Sequence, residues 1–306
     1  QISTSGKILW QKKLGGTILG DVRQIDFYKN NRLQLLFNTK DSLYLIDRNG
    51  ENVEDYPVEL QEKAISGHKL LDYDNNKKYR ILIPTENKTV DNYKKACNIV
   101  KGWNFEAMPK NITQEIKYLK LKNKDYIYII DEEGNTKLVG RNGKTRFNIG
   151  IIPLADSYHL NTKNGNILST DANANVWQTD FKGNKLKMKS SELNKHFFIA
   201  HQVIGDDKAE FILSDSKQLS CYQGEAKAFS FEINNVIAPS IIEFNNMTYI
   251  GISAKENIYL LNNDGEIHPG TPVYGQGEFN CTDLDNDQKL NLIVGNENLL
   301  SNYSLE

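Results

Sequence analysis

Arg141-Asn142-Gly143-Lys144 is a hairpin turn leading into a short β run, and the chain repeats it. Ser5-Gly6-Lys7-Ile8, Arg48-Asn49-Gly50-Glu51, Phe181-Lys182-Gly183-Asn184, Tyr222-Gln223-Gly224-Glu225 and Asn263-Asp264-Gly265-Glu266 have the same form. Lys95-Ala96-Cys97-Asn98 is a degenerate copy that fills the one gap. Positions 6, 50, 97, 143, 183, 224 and 265 step by 44, 47, 46, 40, 41 and 41 residues. Seven turns therefore fit the chain.

A second ladder has the same number and phase. Polar turns fall at Asn30-Asn31, Asn75-Asn76, Asn123-Lys124, Asn164-Gly165, Asp206-Asp207, Asn245-Asn246 and Asn286-Asp287, in steps of 45, 48, 41, 42, 39 and 41. Each precedes an apolar, β-rich run, such as Leu33–Phe37, Tyr126–Ile130 or Leu292–Val294. A third turn then leads to runs such as Ser42–Ile46, Asn175–Trp177 and Ile258–Leu261. Four short strands and three turns per repeat make one propeller blade, and no helical period is sustained over ten or more residues.

The expected fold is all-β: a seven-bladed propeller of four-stranded antiparallel blades in one domain, residues 1–306. The blades span about 20–60, 65–110, 112–150, 155–192, 197–233, 237–275, and 279–306 plus 6–14. The last repeat ends before a fourth strand, and Ile8-Leu9-Trp10-Gln11-Lys12-Lys13-Leu14 follows a glycine turn with no strands before it. The N-terminal strand is therefore expected to complete the last blade and close the ring, because open sheet edges are a liability.

Composition narrows the function classes. The chain of 306 residues has 37 basic and 39 acidic side chains, a net charge of −2 and a pI near 6.3. That excludes a binder of nucleic acid or anionic membrane acting by bulk charge, while a local patch stays open. Lys-rich runs at Tyr118–Lys124 and Lys185–Lys189 alternate as solvated strand faces do. No apolar run approaches the ~18 residues of a membrane span. Cys97, Cys221 and Cys281 are scattered and odd in number, without a metal or disulfide spacing. The chain opens Gln1-Ile2-Ser3-Thr4, which is read as a processed piece of a longer protein.

Several stretches carry a family resemblance. Ser5-Gly6-Lys7-Ile8-Leu9-Trp10 is similar to a quinoprotein-type repeat, in which Gly-Lys turns into a strand bearing Trp. Asp283-Leu284-Asp285-Asn286-Asp287-Gln288-Lys289-Leu290-Asn291-Leu292-Ile293-Val294-Gly295 resembles the Asp-rich loop and strand of FG-GAP (integrin-alpha-like) repeats. Val53–Val58, Ile99–Phe105 and Ile267–Val273 resemble the Gly-aromatic-Pro stretch that follows the turn in such blades. Together they look like propeller regions of Bacteroidetes cell-envelope proteins. The quinoprotein resemblance implies a quinone cofactor, a vicinal cysteine pair and acidic Ca²⁺ ligands; the cysteines here are never adjacent, and three tryptophans do not supply one per blade.

Candidate sites follow from local chemistry. Asp283, Asp285 and Asp287, with Asn291, place oxygen ligands at alternate loop positions, as a structural Ca²⁺ requires. Gln288 stands where a glycine eases such a turn. His68 and His201 precede a turn ladder and are expected on innermost strands near the channel, with Arg23 and Lys117 nearby. His159, His196 and His268 complete the histidines without a zinc spacing. Trp103 follows Gly102 in a stretch unlike the other repeats and is expected to offer an aromatic face to a sugar or partner. No GxSxG elbow and no singled-out carboxylate pair points to catalysis.

The expectation is a non-enzymatic binding or scaffolding propeller, exported to the periplasm or envelope as part of a larger protein, and monomeric. Its partner is a protein or glycan at the channel mouth or loops, with a candidate structural Ca²⁺ and no other cofactor. The alternative is a carbohydrate-active hydrolase or lyase with its site at the central channel.

Overall fold

The computed structural model describes residues 1–3, 5–94, 98–155, 157–162, 164–189, 197–199, 210–215, 217–234, 236–296 and 299–305. The turns at Lys95–Cys97 and Asp206-Asp207, and with them His196 and His201, lie outside the described residues. Every regular element among the described residues is a strand, and the strands form seven antiparallel sheets, the blades of a β-propeller.

Sheet one orders β1 (Leu19–Ile25), β2 (Gln34–Asn38), β3 (Ser42–Ile46) and β4 (Val58–Glu59). Sheet two contains β5 (Lys69–Leu71), β6 (Arg80–Pro84) and β7 (Val90–Lys94). Sheet three contains β8 (Lys117–Leu121), β9 (Lys124–Ile130), β10 (Asn135–Val139) and β11 (Thr145–Ile151). Sheet four follows with β12 (Tyr158–Leu160), β13 (Ile167–Thr170), β14 (Val176–Thr179) and β15 (Lys185–Lys189). Sheet five is β16 (Phe197–Ile199), β17 (Glu210–Ser214), β18 (Gln218–Gln223) and β19 (Ala226–Glu232). Sheet six is β20 (Val236–Phe244), β21 (Met247–Ala254), β22 (Asn257–Leu261) and β23 (Val273–Tyr274). Sheet seven has β24 (Phe279–Thr282), β25 (Leu290–Asn296) and β26 (Leu299–Leu305). Each strand pairs with the next in sequence, so every blade is a meander.

The chain divides into two compact units. The first comprises Gln1–Leu154, Thr162–Asn166 and Thr179–Lys185; the second comprises Ala155–Asn161, Ile167–Gln178 and Leu186–Glu306. In the first unit, alternate residues of β6 serve two neighbours, as a two-residue period dictates. Ile81 and Ile83 pack with Leu43, Leu45 and Ile25 of sheet one, while Leu82 packs with Ile127, Ile129 and Val139 of sheet three. The second unit repeats the device. In β22, Leu261 joins Ile250, Ile252 and Ile212, while Ile258 and Leu260 join Leu290, Leu292 and Val294. Middle strands are buried on both faces, whereas β11 and β15 are largely exposed.

Turn glycines dock aromatic rings. A methyl group on Gly50 would lie 2.7 Å from Trp10, one on Gly143 3.0 Å from Trp103, and one on Gly265 2.3 Å from Phe229. Each glycine is also in the left-handed region, with φ of 87°, 78° and 84°. Two of the three tryptophans thus dock on such turns.

Four-stranded blades were expected throughout. Among the described residues, the sheets β5–β7 and β24–β26 are three-stranded. Ile8–Leu14 forms no strand. Instead Ile8 bridges back to Ile2, and the Leu9 N–H bonds to the Gln1 carbonyl at 2.9 Å, so local hairpin pairing takes up these groups. This hairpin matches the closures Ile46↔Asn52, Tyr93↔Ile99 and Leu261↔Ile267, each linking residues six apart.

Candidate functional site

Three loops between the first and second strands of their blades are built alike. Asp26 accepts the N–H groups of Asn30 and Asn31, both at 2.9 Å. Asp72 accepts those of Asn76 and Lys77 at 3.0 and 2.8 Å, and Asp283 those of Asp287 and Gln288 at 3.1 and 2.9 Å. One carboxylate holds the donors four and five residues on, because a short side chain can replace the backbone acceptors that a tight turn lacks. The third and fifth residues after each aspartate are left-handed: Lys29 and Asn31, Asn75 and Lys77, Asn286 and Gln288.

In the first unit two of these loops are tied together. Lys77 Nζ donates to Asp26 and, at 3.0 Å, to Asn31 Oδ1. Lys29 Nζ donates to the Asn76 carbonyl at 3.0 Å. The Lys77 hydrogen bond, helped by the Asn30 and Asn31 amides, holds the Asp26 carboxyl below its ordinary value. Arg141 clamps the second loop to sheet three. Its guanidinium meets Asp74 in a fork, at 2.9 and 2.7 Å, and its Nε donates to Asp125 at 2.6 Å. The Tyr118 hydroxyl also donates to Asp125, at 2.6 Å, and the guanidinium lies 4.6 Å over the Tyr73 ring. Burial opposes ionisation of Asp125, but Arg141 and Tyr118 hold its carboxyl below the usual range. A small cleft beside this clamp is lined by Tyr73, Asp74, Asn76, Lys78, Arg80, Val100 and Arg141.

Sequence reasoning did not single out Arg141, Asp74, Asp125 or Lys77. A signal for the caps was present in Asp26, four residues before Asn30, and in Asp72, four residues before Asn76.

His68 is 8% exposed and immediately precedes β5. Its backbone N–H donates to Asn38 Oδ1 at 2.9 Å, and its Nδ1 lies 3.2 Å from the same oxygen. Asn38 Nδ2 donates to the carbonyls of Thr39 and Ser66, which orients the amide and makes Nδ1 the protonated ring nitrogen. Burial, reinforced by the Arg23 charge, pushes the imidazole down to about 4. His68 is therefore neutral at pH 7. The Arg23 and Lys117 neighbourhood is a mixed-charge strip, in which Lys69 pairs with Glu115 at 2.7 Å and Arg23 with Asp21. Burial lowers the Lys117 ammonium despite the opposing charge of Glu115. Gly20 and Gly67 cross here so closely that a methyl on Gly20 would lie 2.8 Å from the Gly67 Cα.

Trp103 is half-buried, and its face lies against the Gly143 turn. Its Nε1 donates to the Val90 carbonyl at 2.6 Å, and its ring stacks on Phe105. The indole is thereby committed to packing sheet two on sheet three.

Asp283, Asp285 and Asp287 bring carboxylate oxygens within 4.8 Å of one another. Asp283 caps its own loop, and Asp287 Oδ1 accepts the Lys289 N–H at 2.8 Å. Asn291 is 2% exposed, and its Oδ1 accepts the Leu284 N–H at 2.7 Å. Gln288 takes the left-handed conformation, φ 67°, that the missing glycine would have eased. The Asp26 and Asp72 loops reach the same form with Tyr28 or Asp74, and Asn30 or Asn76, at the two following ligand positions, so the loop shape does not depend on three acids.

No known protein-family model matches the chain, and no curated protein matches it in sequence. Solved structures share its fold. BamB from Moraxella catarrhalis superposes with a TM-score of 0.60 at 15% identity, over 94% of this chain and 86% of that one. BBS1N, solved in complex with ARL6DN, gives 0.60 at 8% identity over 95% and 92%. The AfRom2 CNH domain gives 0.56 at 14% identity over 94% of each chain. At these identities the likeness speaks for the propeller fold alone.

Proposed function

We propose that the chain is a non-enzymatic binding and scaffolding propeller, the display region of a larger exported bacterial envelope protein. The observation that carries this reading is the self-capped loop. Asp26, Asp72 and Asp283 fix their exposed loops through backbone donors before any partner arrives. A surface ordered in advance loses little conformational entropy on binding. That BBS1N was solved holding ARL6DN supports a protein partner for a chain of like fold. The partner is a protein or glycan engaged through the loops, and the chain works as a monomer.

Closure by the N-terminal segment belongs to the same reading. The Ile2↔Ile8 bridge and the seating of Trp10 on Gly50 repeat what Tyr93↔Ile99 and Trp103 on Gly143 do. They support Ile8–Leu14 as the segment in the outer position of the seventh blade, held there without regular strand pairing.

Affinity capture from fractionated native cells, with excess free chain as competitor, tests the function. A saturable partner from the envelope fraction is expected. Recovery of cytosolic partners alone would remove the envelope placement, and oligosaccharide cleavage by the purified chain would replace binding with catalysis.

A further inference from the structure

Four carboxylates of these loops in the first unit are engaged internally. Asp26 faces Lys77, Asp72 caps its own turn, and Asp74 and Asp125 share Arg141. The cations around them are not neutralised in this way. Lys29, Arg32, Lys78 and Lys120 are exposed. They are parts of one surface: Lys29 reaches Asn76, Arg32 and Lys78 directly follow the hydrogen-bonded pair Asn31 and Lys77, and Lys120 pairs in register with Asp125, which Arg141 joins to Asp74. A chain of net charge −2 thus presents a local basic patch, with the exposed Tyr28 and Leu33 on its first loop.

Resting on the binding reading above, we propose that this face docks an acidic polypeptide segment across Arg32, Lys78 and Lys120. Carboxylates spaced along an extended chain can meet cations carried by separate loops, and the cleft lined by Lys78, Arg80 and Arg141, with Asp74 already paired to Arg141, gives one of them a recessed position. Tyr28 and Leu33 add apolar contact, which suits a peptide more than a phosphate backbone. Nucleic-acid grooves add rows of aromatic platforms, and Tyr28 is the exposed aromatic that these first two loops offer among the described residues. Charge complementarity of this kind raises the association rate and sets specificity.

The test is fluorescence anisotropy with labelled poly-L-glutamate and the full chain at low salt. An Arg32→Gln/Lys78→Gln/Lys120→Gln variant is compared with Lys7→Gln/Lys185→Gln/Lys227→Gln, which changes net charge equally elsewhere. The first variant is expected to weaken binding roughly tenfold, as three exposed ion pairs imply, with a shallower salt dependence and unchanged melting. The second is expected to bind as the parent chain does. Equal binding by both variants, or tighter binding of single-stranded DNA of the same charge, would overturn the assignment. A partner captured from native cells that binds both variants equally would leave the binding function standing and remove only this surface.

Discussion

Trp10 sits where a side chain on Gly50 would have to go. Its ring lies 2.7 Å from the methyl position, and its Nε1 donates to the Arg48 carbonyl at 2.9 Å. Gly102 has nearly the same φ, 86° against 87°, with nothing within 4 Å of its methyl position. Gly102→Ala therefore measures backbone strain alone, about 1 kcal/mol after the loss of unfolded-state freedom is credited. Gly50→Ala adds the displaced indole and is expected to be worse by a further ~1–3 kcal/mol in urea unfolding. Equal destabilisation would mean that the ring does not define the turn.

The capped loops make a second contrast. Asp72→Ala removes the acceptor for two backbone donors and is expected to lower stability by about 2 kcal/mol. Asp285→Asn with Asp287→Asn leaves the Asp283 cap intact and is expected to change stability by less than ~0.5 kcal/mol. Urea unfolding in EDTA and in calcium checks both, and a midpoint raised by calcium only where Asp285 and Asp287 are intact would reveal an ion at this loop.

His68 predicts a pH dependence. Its folded value is about 4 against an ordinary 6.5, so below pH 6.5 the unfolded chain takes up a proton that the folded chain refuses. Stability is undiminished by this group above that value and falls as pH drops toward 4, by roughly 3 kcal/mol at the bottom of the window. The difference between the parent chain and His68→Gln, measured by urea unfolding at each pH, should trace this slope. A difference that is flat between pH 6.5 and 4 would show that the imidazole is not buried neutral.

Arg141→Met leaves Asp125 buried beside Tyr118 without its guanidinium. A loss of about 2 kcal/mol is expected. The Arg141→Met/Asp125→Asn double variant should recover part of it, because the stranded charge is gone. No recovery in thermal or urea unfolding would mean that Asp125 does not need the clamp.

The seven-blade architecture was legible because Gly50, Gly143, Gly183 and Gly265 mark turns that require positive φ, at nearly constant spacing. The alternation that buries Ile81 and Ile83 one way and Leu82 the other follows from the two-residue period of a strand. Arg141 was not, since its partner Asp74 lies 67 residues away and meets it only once two blades are stacked. Trp103 looked free because its loop is irregular, yet the glycine that receives it lies in the next repeat. The buried His68 is held by Asn38, 30 residues earlier, and no spacing rule announces that pair.

The central claim is binding without turnover. The most direct measurement is the intact mass of a captured partner before and after incubation with substoichiometric chain, alongside a calorimetric titration. The account predicts saturation at fixed stoichiometry and an unchanged mass. Progressive change in the partner's mass, catalysed by less than one equivalent of chain, would contradict it.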